Sequence, residues 1–303
     1  MQKRSLLQKI LIGAVVFILL GSWWSHLSDA RHRRQGALAI VHVSGPIHMD
    51  ESGPSWGTPD AEEIARRLHK LSEDKDVKAI LLRINSPGGT VGAVQEIHRE
   101  MVRCREKGKM IVASLGDVAA SGGYYLAAGS DRIVANPGTI TGSIGVILEF
   151  GNLEGLFQKV GLKLQVIKSG LYKDIGSPAR ALTPEEKAML QESIDDAYAQ
   201  FFEAVRQGRR MDPEKLKGLA DGRIFTGRQA LKAGLIDEMG DEEDAIQTAI
   251  KFAKLPADPF IVFDEHKSFL AILQRATTQF SRQPMDSLQD VVSGARMEYR
   301  WRQ

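Results

Sequence analysis

Apolar and polar positions change period several times along this chain, and each change marks an element. Ala37 to Val43 (ALAIVHV) is an apolar run closed by Gly45-Pro46 and reads as a strand. Asp60 to Leu71 carries Ile64, Leu68 and Leu71 at the spacing of an amphipathic helix. Val77 to Ile84 (VKAILLRI) is nearly continuous in apolar residues, the mark of a strand covered on both faces, and it runs into Asn85-Ser86-Pro87-Gly88-Gly89. A helix is expected from Val91 to about Glu106. Another buried strand follows at Met110 to Leu115, ended by Gly116-Asp117, with a short helix starting near Ser121.

The alternation continues through Arg132 to Ala135, the loop Asn136-Pro137-Gly138-Thr139 and the segment TGSIGV from Thr141 to Val146. Leu162 to Ile167 reads as a strand. A long helix opens at Thr183-Pro184-Glu185-Glu186, where threonine precedes an acidic side chain by three residues and proline takes the first turn, and it runs to about Gln207. After Gly222 to Thr226, short helices at Arg228 to Ala233 and Glu242 to Ala253 close the pattern near Pro256. Strands alternating with helices predict one α/β domain with a mainly parallel sheet, over residues 36–255. No further strand is expected in residues 256–303, a tail without an assigned role in which Gln279 to Asp286 has the polarity of a linker.

Residues 1–35 have a different character. Leu6 to Trp24 is long enough to cross a bilayer, and Ile10 to Trp24 contains no charge. Trp23 and Trp24 stand where a signal-peptide cleavage site would want small residues, so an uncleaved transmembrane helix is the better reading, with Ser28-Asp29-Ala30 the weaker alternative of a cleavage site. Lys3, Arg4 and Lys9 before the span are matched by Arg31, Arg33 and Arg34 after it, so charge counting leaves orientation open. A net charge of +2 on 303 residues, with no basic run interleaved with aromatics, argues against a nucleic-acid partner. The single cysteine, Cys104, has no second thiol for an intrachain disulfide or a shared metal.

Two glycine-containing turns stand at the carboxyl ends of expected buried strands, where open α/β sheets form their sites. One is Ser86-Pro87-Gly88-Gly89; the other is Ser121-Gly122, inside DVAASGGYY. Taken alone, Ser121 reads as a helix cap and SPGG equally as a plain turn. Together they suit amide hydrolysis, which needs a nucleophile, a base and donors for a developing oxyanion. Ser121 is then the nucleophile, and the backbone N–H groups of Gly89 and Gly122 can approach a substrate carbonyl unobstructed. None of the seven histidines lies between Ser121 and the end of the expected domain, and His98, in EIHREM, reads as a helix-face residue. That leaves lysine as candidate base. Lys173, in GLYKDIGSP, differs from most others by its glycine-punctuated, partly apolar setting, although spacing alone does not select it over ordinary surface exposure.

The series INSPGG, DVAASGGYY, TGSIGV, KSGLYKDIGSPAR, LTPEE and DGRIFTGRQALKAGLID, in order over roughly residues 36–255, resembles the bacterial signal peptide peptidase A family. The resemblance implies a membrane-anchored serine/lysine protease of the crotonase-like, Clp-protease-like fold, with repeated ββα units behind one N-terminal transmembrane helix. It implies Ser121 as nucleophile, Lys173 as general base, Gly89 and Gly122 as oxyanion donors, and Ser143 as the hydroxyl that orients the lysine, with no cofactor and no metal. It further implies an inner-membrane protein with its catalytic domain on the extracytoplasmic side, acting on apolar peptides such as signal-peptide remnants. Each motif occurs once, so a homo-oligomer with sites completed between neighbouring subunits is expected. A crotonase-type acyl-CoA enzyme and an inactive membrane scaffold are the competing readings.

Overall fold

The computed structural model describes residues 32–49, 60–263 and, for the backbone, 297–300; the expected membrane span lies outside these residues. Among the described residues no helix is long and apolar enough to cross a membrane.

The architecture is mixed α/β around a parallel-rich sheet. Strand β1 is Ala37–Ser44, β2 Val77–Ser86, β4 Met110–Ala120, β5 Arg132–Ala135, β9 Glu238–Met239 and β10 Phe260–Val262. They lie in the order β10-β1-β2-β4-β5-β9, every neighbouring pair parallel. Strand β6 (Ile140–Gly142) pairs parallel with the far end of β4, and β8 (Ile224–Thr226) pairs antiparallel with β6. A second, three-stranded sheet joins β3 (Gly88–Thr90), β11 (Met297–Arg300) and β7 (Ile147–Leu148) in the order β3-β11-β7.

The continuous apolar runs are explained by burial on both faces. Ala39, Val41, Ile80, Leu82, Ile111 and Ala113 point into the larger core, while Leu38, Ile40, Ala79, Leu81, Val112 and Val134 point into a smaller one. The smaller core is capped by Ala245 and Ala249 of helix α8 (Glu242–Ala253). Each fully buried Leu or Ile contributes about 1.5–3 kcal/mol relative to exposure, so a single polar side chain within these runs would be costly. On the other face lie α1 (Ala61–Glu73), whose N-cap Asp60 accepts from the Glu63 amide, and α2 (Val91–Glu106). Cys104 of α2 is buried, donating to the Leu68 carbonyl, and burial pushes its thiol up to about 11. The other helices are α3 (Gly122–Ala128), α4 (Glu154–Lys159), α5 (Pro184–Arg209), α6 (Pro213–Lys217) and α7 (Gly227–Ala233), with a helical turn at residues 32–34 ahead of β1. The α5 start has the expected capping box, with Thr183 and Glu186 each bonding the other's backbone N–H.

Three expectations need correction. Strand β4 does not stop at Gly116-Asp117 but continues to Ala120 through an irregularity in its pairing with β2. The Asn85 side chain accepts from the Val118 amide and Thr139 Oγ1 donates to the Gly116 carbonyl, so side chains replace the interrupted ladder. Leu162 to Ile167, expected as a strand, pairs with no strand among the described residues and lies exposed. Finally, the tail, where the pattern predicted no strand, holds two: Phe260–Val262 adds an edge strand beside β1, and Met297–Arg300 pairs with β3 and β7.

Candidate active site

Ser121 follows the last residue of β4 and precedes helix α3, so the parallel strand aims it at the carboxyl end of the sheet. It occupies the N-cap position of α3, yet its side chain makes no capping hydrogen bond, and its backbone lies at φ 54°, ψ −117°. Four non-glycine residues have positive φ among those described. Arg210 and Lys254 are left-handed caps at helix ends, an ordinary use of that conformation. The other two are Ser121 and Ser143, at φ 54° and 51°. A non-glycine residue held this way is strained, and such strain persists where surrounding contacts over-determine it.

Those contacts are visible. The Ser121 N–H donates to the Gly142 carbonyl at 2.8 Å, and the Ser121 carbonyl accepts from Tyr125 N at 2.8 Å. In the β4–β6 register Ala120 is opposite Gly142, which sets the two serines at the ends of adjacent parallel strands. Ser143 is held in turn by its N–H donating to the Arg223 carbonyl at 2.8 Å. All seven residues of α3 are buried. The Tyr125 ring lies between His98 and Phe201, with centroids at 5.1 and 5.0 Å, and the Tyr124 hydroxyl donates to the Leu235 carbonyl at 2.8 Å. Burial, followed by Arg105 and Arg99, lowers His98 to about 4, so it packs as a neutral ring against α3.

Gly89 meets this constellation from β3. A Cβ built on Gly122 would stand 3.1 Å from the Gly89 nitrogen and 2.7 Å from Val94 Cγ2, so the two backbones approach as only glycine permits. A Cβ on Gly89 would overlap the Ile47 carbonyl. The turn is fixed by Ile47, whose N–H donates to the Gly88 carbonyl and whose carbonyl accepts from Thr90 N, both at 2.9 Å, and by Ser86 Oγ accepting from Gly88 N at 3.1 Å. Ile47 and Asn85 were not legible as supporting residues, because their contacts connect distant segments; Ser86 at least stands inside the glycine turn.

The structure therefore brings Ser121, Gly122, Gly89 and Ser143 together. It does not join Lys173 to them: among the described residues no hydrogen bond links Lys173 Nζ to Ser121 or Ser143. Ser121 is 1% exposed, whereas every residue from 158 to 173 is exposed. The arm carrying Lys173 is nonetheless anchored. Lys168 Nζ donates to Asp174 Oδ1 at 2.6 Å, Arg180 bonds both Asp174 carboxylate oxygens, and the same guanidinium grips Glu186 in the first turn of α5. Arg180 holds Glu186 down at about 2 and drives Asp174 below the usual carboxylate range.

Comparison with known proteins places the chain as a whole. Residues 103–256 match peptidase family S49, and residues 53–139 match the Clp protease family. A Synechocystis sp. protein, provisionally named as a protease, is 55% identical over 189 residues, covering 62% of this chain and 68% of that one. An Enterococcus faecium protein, provisionally named as signal peptide peptidase SppA, is 44% identical over 189 residues, 62% of this chain and 55% of that one. Protease 4 of Salmonella typhi is 37% identical over 220 residues, 73% of this chain but 35% of its own length. The chain thus spans about half or less of two of these three relatives. On these matches, and with a serine held bare at the end of a central strand, the chain belongs to peptidase family S49, the signal peptide peptidase A family of serine peptidases.

Proposed function

We propose that the chain is a membrane-anchored endopeptidase that cuts apolar, unfolded peptides, signal-peptide remnants among them, with a Ser121/Lys173 dyad. The observation that carries this reading is the state of Ser121: buried, strained, unspent as a cap and set beside Gly122 and Gly89. In the proposed reaction Ser121 Oγ attacks the scissile carbonyl carbon while neutral Lys173 takes its proton. The N–H groups of Gly89 and Gly122 hold the oxyanion. The C–N bond then breaks, the proton passes from Lys173 to the leaving amine, and water hydrolyses the acyl-enzyme to restore Ser121. Ser143 positions the lysine. The finer fold assignment, a crotonase-like and Clp-protease-like arrangement of ββα units, belongs to the same proposal, as does an anchor at residues 1–35 with the catalytic domain outside the cytoplasm.

A lysine acts as a base in its neutral form, which removal from water favours. Lys173 lies on an exposed arm whose apolar side chains include Leu162, Leu164, Val166, Ile167 and Leu171, the last 71% exposed. Their alternation over 162–166 is that of a strand without a partner, and apolar surface of this kind calls for cover. A second copy laid on this arm would cover the apolar side chains and remove Lys173 from water in one step. The proposed assembly is a closed homo-oligomer in which the Lys173 arm of one subunit serves the Ser121 of its neighbour.

The test is a serine-directed phosphonate added to the full chain in detergent, with hydrolysis of an apolar peptide followed in parallel. Adduct mass on Ser121 and loss of hydrolysis together are expected. Hydrolysis that survives in Ser121→Ala would overturn the assignment.

A further inference from the structure

The amino ends of the central strands, opposite the end that holds Ser121, frame an open cleft of about 640 Å³. Lys78 near the start of β2, Lys109 just before β4 and Lys254 just after α8 stand around it, with Met110 and the Phe252 ring as its apolar wall. Lys109 is only 9% exposed. Its Nζ donates to the Asp74 carbonyl and, at 2.8 Å, to the Val77 carbonyl, while Lys78 Nζ donates to the Lys75 carbonyl at 2.8 Å. Backbone carbonyls satisfy N–H groups without cancelling charge, and none of these three lysines forms an ion pair among the described residues. The Asp74 carboxylate is taken by Arg33, and that of Asp131 by Arg105 Nε at 3.0 Å and the Ile111 N–H at 2.8 Å. Among the described residues lining the cleft, Glu106 is then the one carboxylate left to face three ammonium groups. Burial, followed by the nearby Lys78 charge, holds Lys109 below its ordinary value, and a bound anion would offset both.

We propose that this cleft binds the headgroup phosphate of an anionic phospholipid from the bilayer that the chain's own anchor enters. The proposal rests on the reading of residues 1–35 as that anchor. The path of the chain joins the two. The helical turn at residues 32–34 is pinned beside the cleft: His32 Nε2 donates to the Asp258 carbonyl at 2.6 Å, and Arg33 grips the carboxylate of Asp74, whose carbonyl accepts from Lys109. At Gly36 an added Cβ would meet Lys78 Cγ at 3.4 Å and Leu255 Cδ2 at 2.7 Å. His32 is eight positions beyond Trp24, at most about 29 Å of extended chain, so the amino end of the sheet is tethered close to the expected bilayer surface. A free anion would need only the lysines. The apolar wall of Met110 and Phe252 suits a ligand that carries hydrocarbon next to its phosphate. A lipid so bound gives the catalytic domain a second attachment to the membrane, beyond the single helix, and fixes which end of the sheet faces the bilayer.

The test uses the full chain in nonionic detergent, titrated with dihexanoyl phosphatidylglycerol and read by native mass spectrometry and by melting temperature. Phosphatidylglycerol is expected to bind and to raise the melting temperature; zwitterionic dihexanoyl phosphatidylcholine is expected to do neither. Lys78→Gln with Lys254→Gln changes two exposed side chains and should weaken phosphatidylglycerol binding by at least about tenfold, with hydrolysis of a soluble apolar peptide in the same detergent unchanged. Glu106→Gln removes the opposing carboxylate and should tighten binding, so the two variants move in opposite directions. Equal affinity in the parent and the lysine variant, or equal affinity for the two lipids, overturns the proposal. Inorganic phosphate that binds as tightly as phosphatidylglycerol would assign the cleft to a soluble anion and overturn the lipid assignment. None of these readings depends on Ser121. Flotation with pure phosphatidylcholine vesicles reads the anchor by itself: a chain that fails to float loses the anchor, whereas loss of phosphatidylglycerol binding in the lysine variant still supports the cleft.

Discussion

The two halves of the proposed dyad are built in opposite ways. Ser121 stands on an element closed from every side, between β4, β6 and a helix whose seven residues are all buried. Lys173 stands on an arm whose residues from 158 to 173 face solvent, tied to the body through ion pairs of Asp174, Arg180 and Glu186. Geometry that must be held against strain is placed in the core, where packing can hold it. In the proposed assembly the group that reaches another molecule is placed outside, on a segment fixed at its base.

Breaking either half at its reacting atom should have the largest effect. Ser121→Ala and Lys173→Ala are each expected to lower turnover by at least about a thousandfold while circular dichroism and melting stay native. Lys173→Arg should fail equally, since a guanidinium stays protonated and cannot accept the proton. Arginine activity near the normal rate would remove Lys173 from its role.

On the closed half, Gly122→Ala pushes a methyl against Val94 Cγ2 and towards the Gly89 nitrogen. Displacing one oxyanion donor should cost roughly 10²–10³ in kcat, read in steady-state kinetics. On the open half, the matching change is Leu164→Asp with Val166→Asp. It should leave the monomer's melting temperature within a few degrees, because both residues are exposed, and yet abolish assembly in sedimentation velocity and with it most activity.

Arg180→Ala frees the base of the arm and should lower activity by roughly ten- to a hundredfold with the core unaffected. The same anchor has a defined pH response. Arg180 holds both Asp174 and Glu186 below their ordinary values; the Glu186 contribution is complete above its ordinary 4.5 and is lost as pH falls towards about 2, and that of Asp174 is lost at lower pH still. Hydrogen exchange of residues 168–180 should accelerate over that window before the β4 amides respond. The smallest effect is expected from Tyr124→Phe, which removes the hydroxyl's bond to the Leu235 carbonyl. It should cost about 1 kcal/mol of stability with kcat nearly unchanged.

Legibility in the sequence followed the same division. Elements whose side chains answer to local pattern were readable: the apolar run of β2, the 91–106 helix and the Thr183 to Glu186 capping box all stand where expected. The glycines at 89 and 122 were readable because close backbone approach demands that residue and no other. What could not be read depended on partners distant in sequence. The continuation of β4 past Gly116 needs Asn85 and Thr139, and the strain at Ser121 appears only once Gly142 is placed beside it. The run from Leu162 to Ile167 has the alternation of a strand, yet no strand among the described residues pairs with it. Pattern states that such a segment wants a neighbour, not which molecule supplies one. Strand β11 is the converse case: no strand was expected there, yet residues 297–300 pair with β3 and β7.

The division of the dyad between subunits is tested most directly by mixing two inactive chains. Ser121→Ala keeps the lysine and Lys173→Ala keeps the serine, so in a closed ring a live site arises wherever a Lys173→Ala subunit presents its serine to the lysine of a Ser121→Ala neighbour. Equal random mixing should restore roughly one quarter of the sites, one half times one half, read as peptide hydrolysis and as phosphonate-labelled Ser121. Mixed rings, proven by mass spectrometry, that remain inactive would place both residues within one subunit and contradict the account.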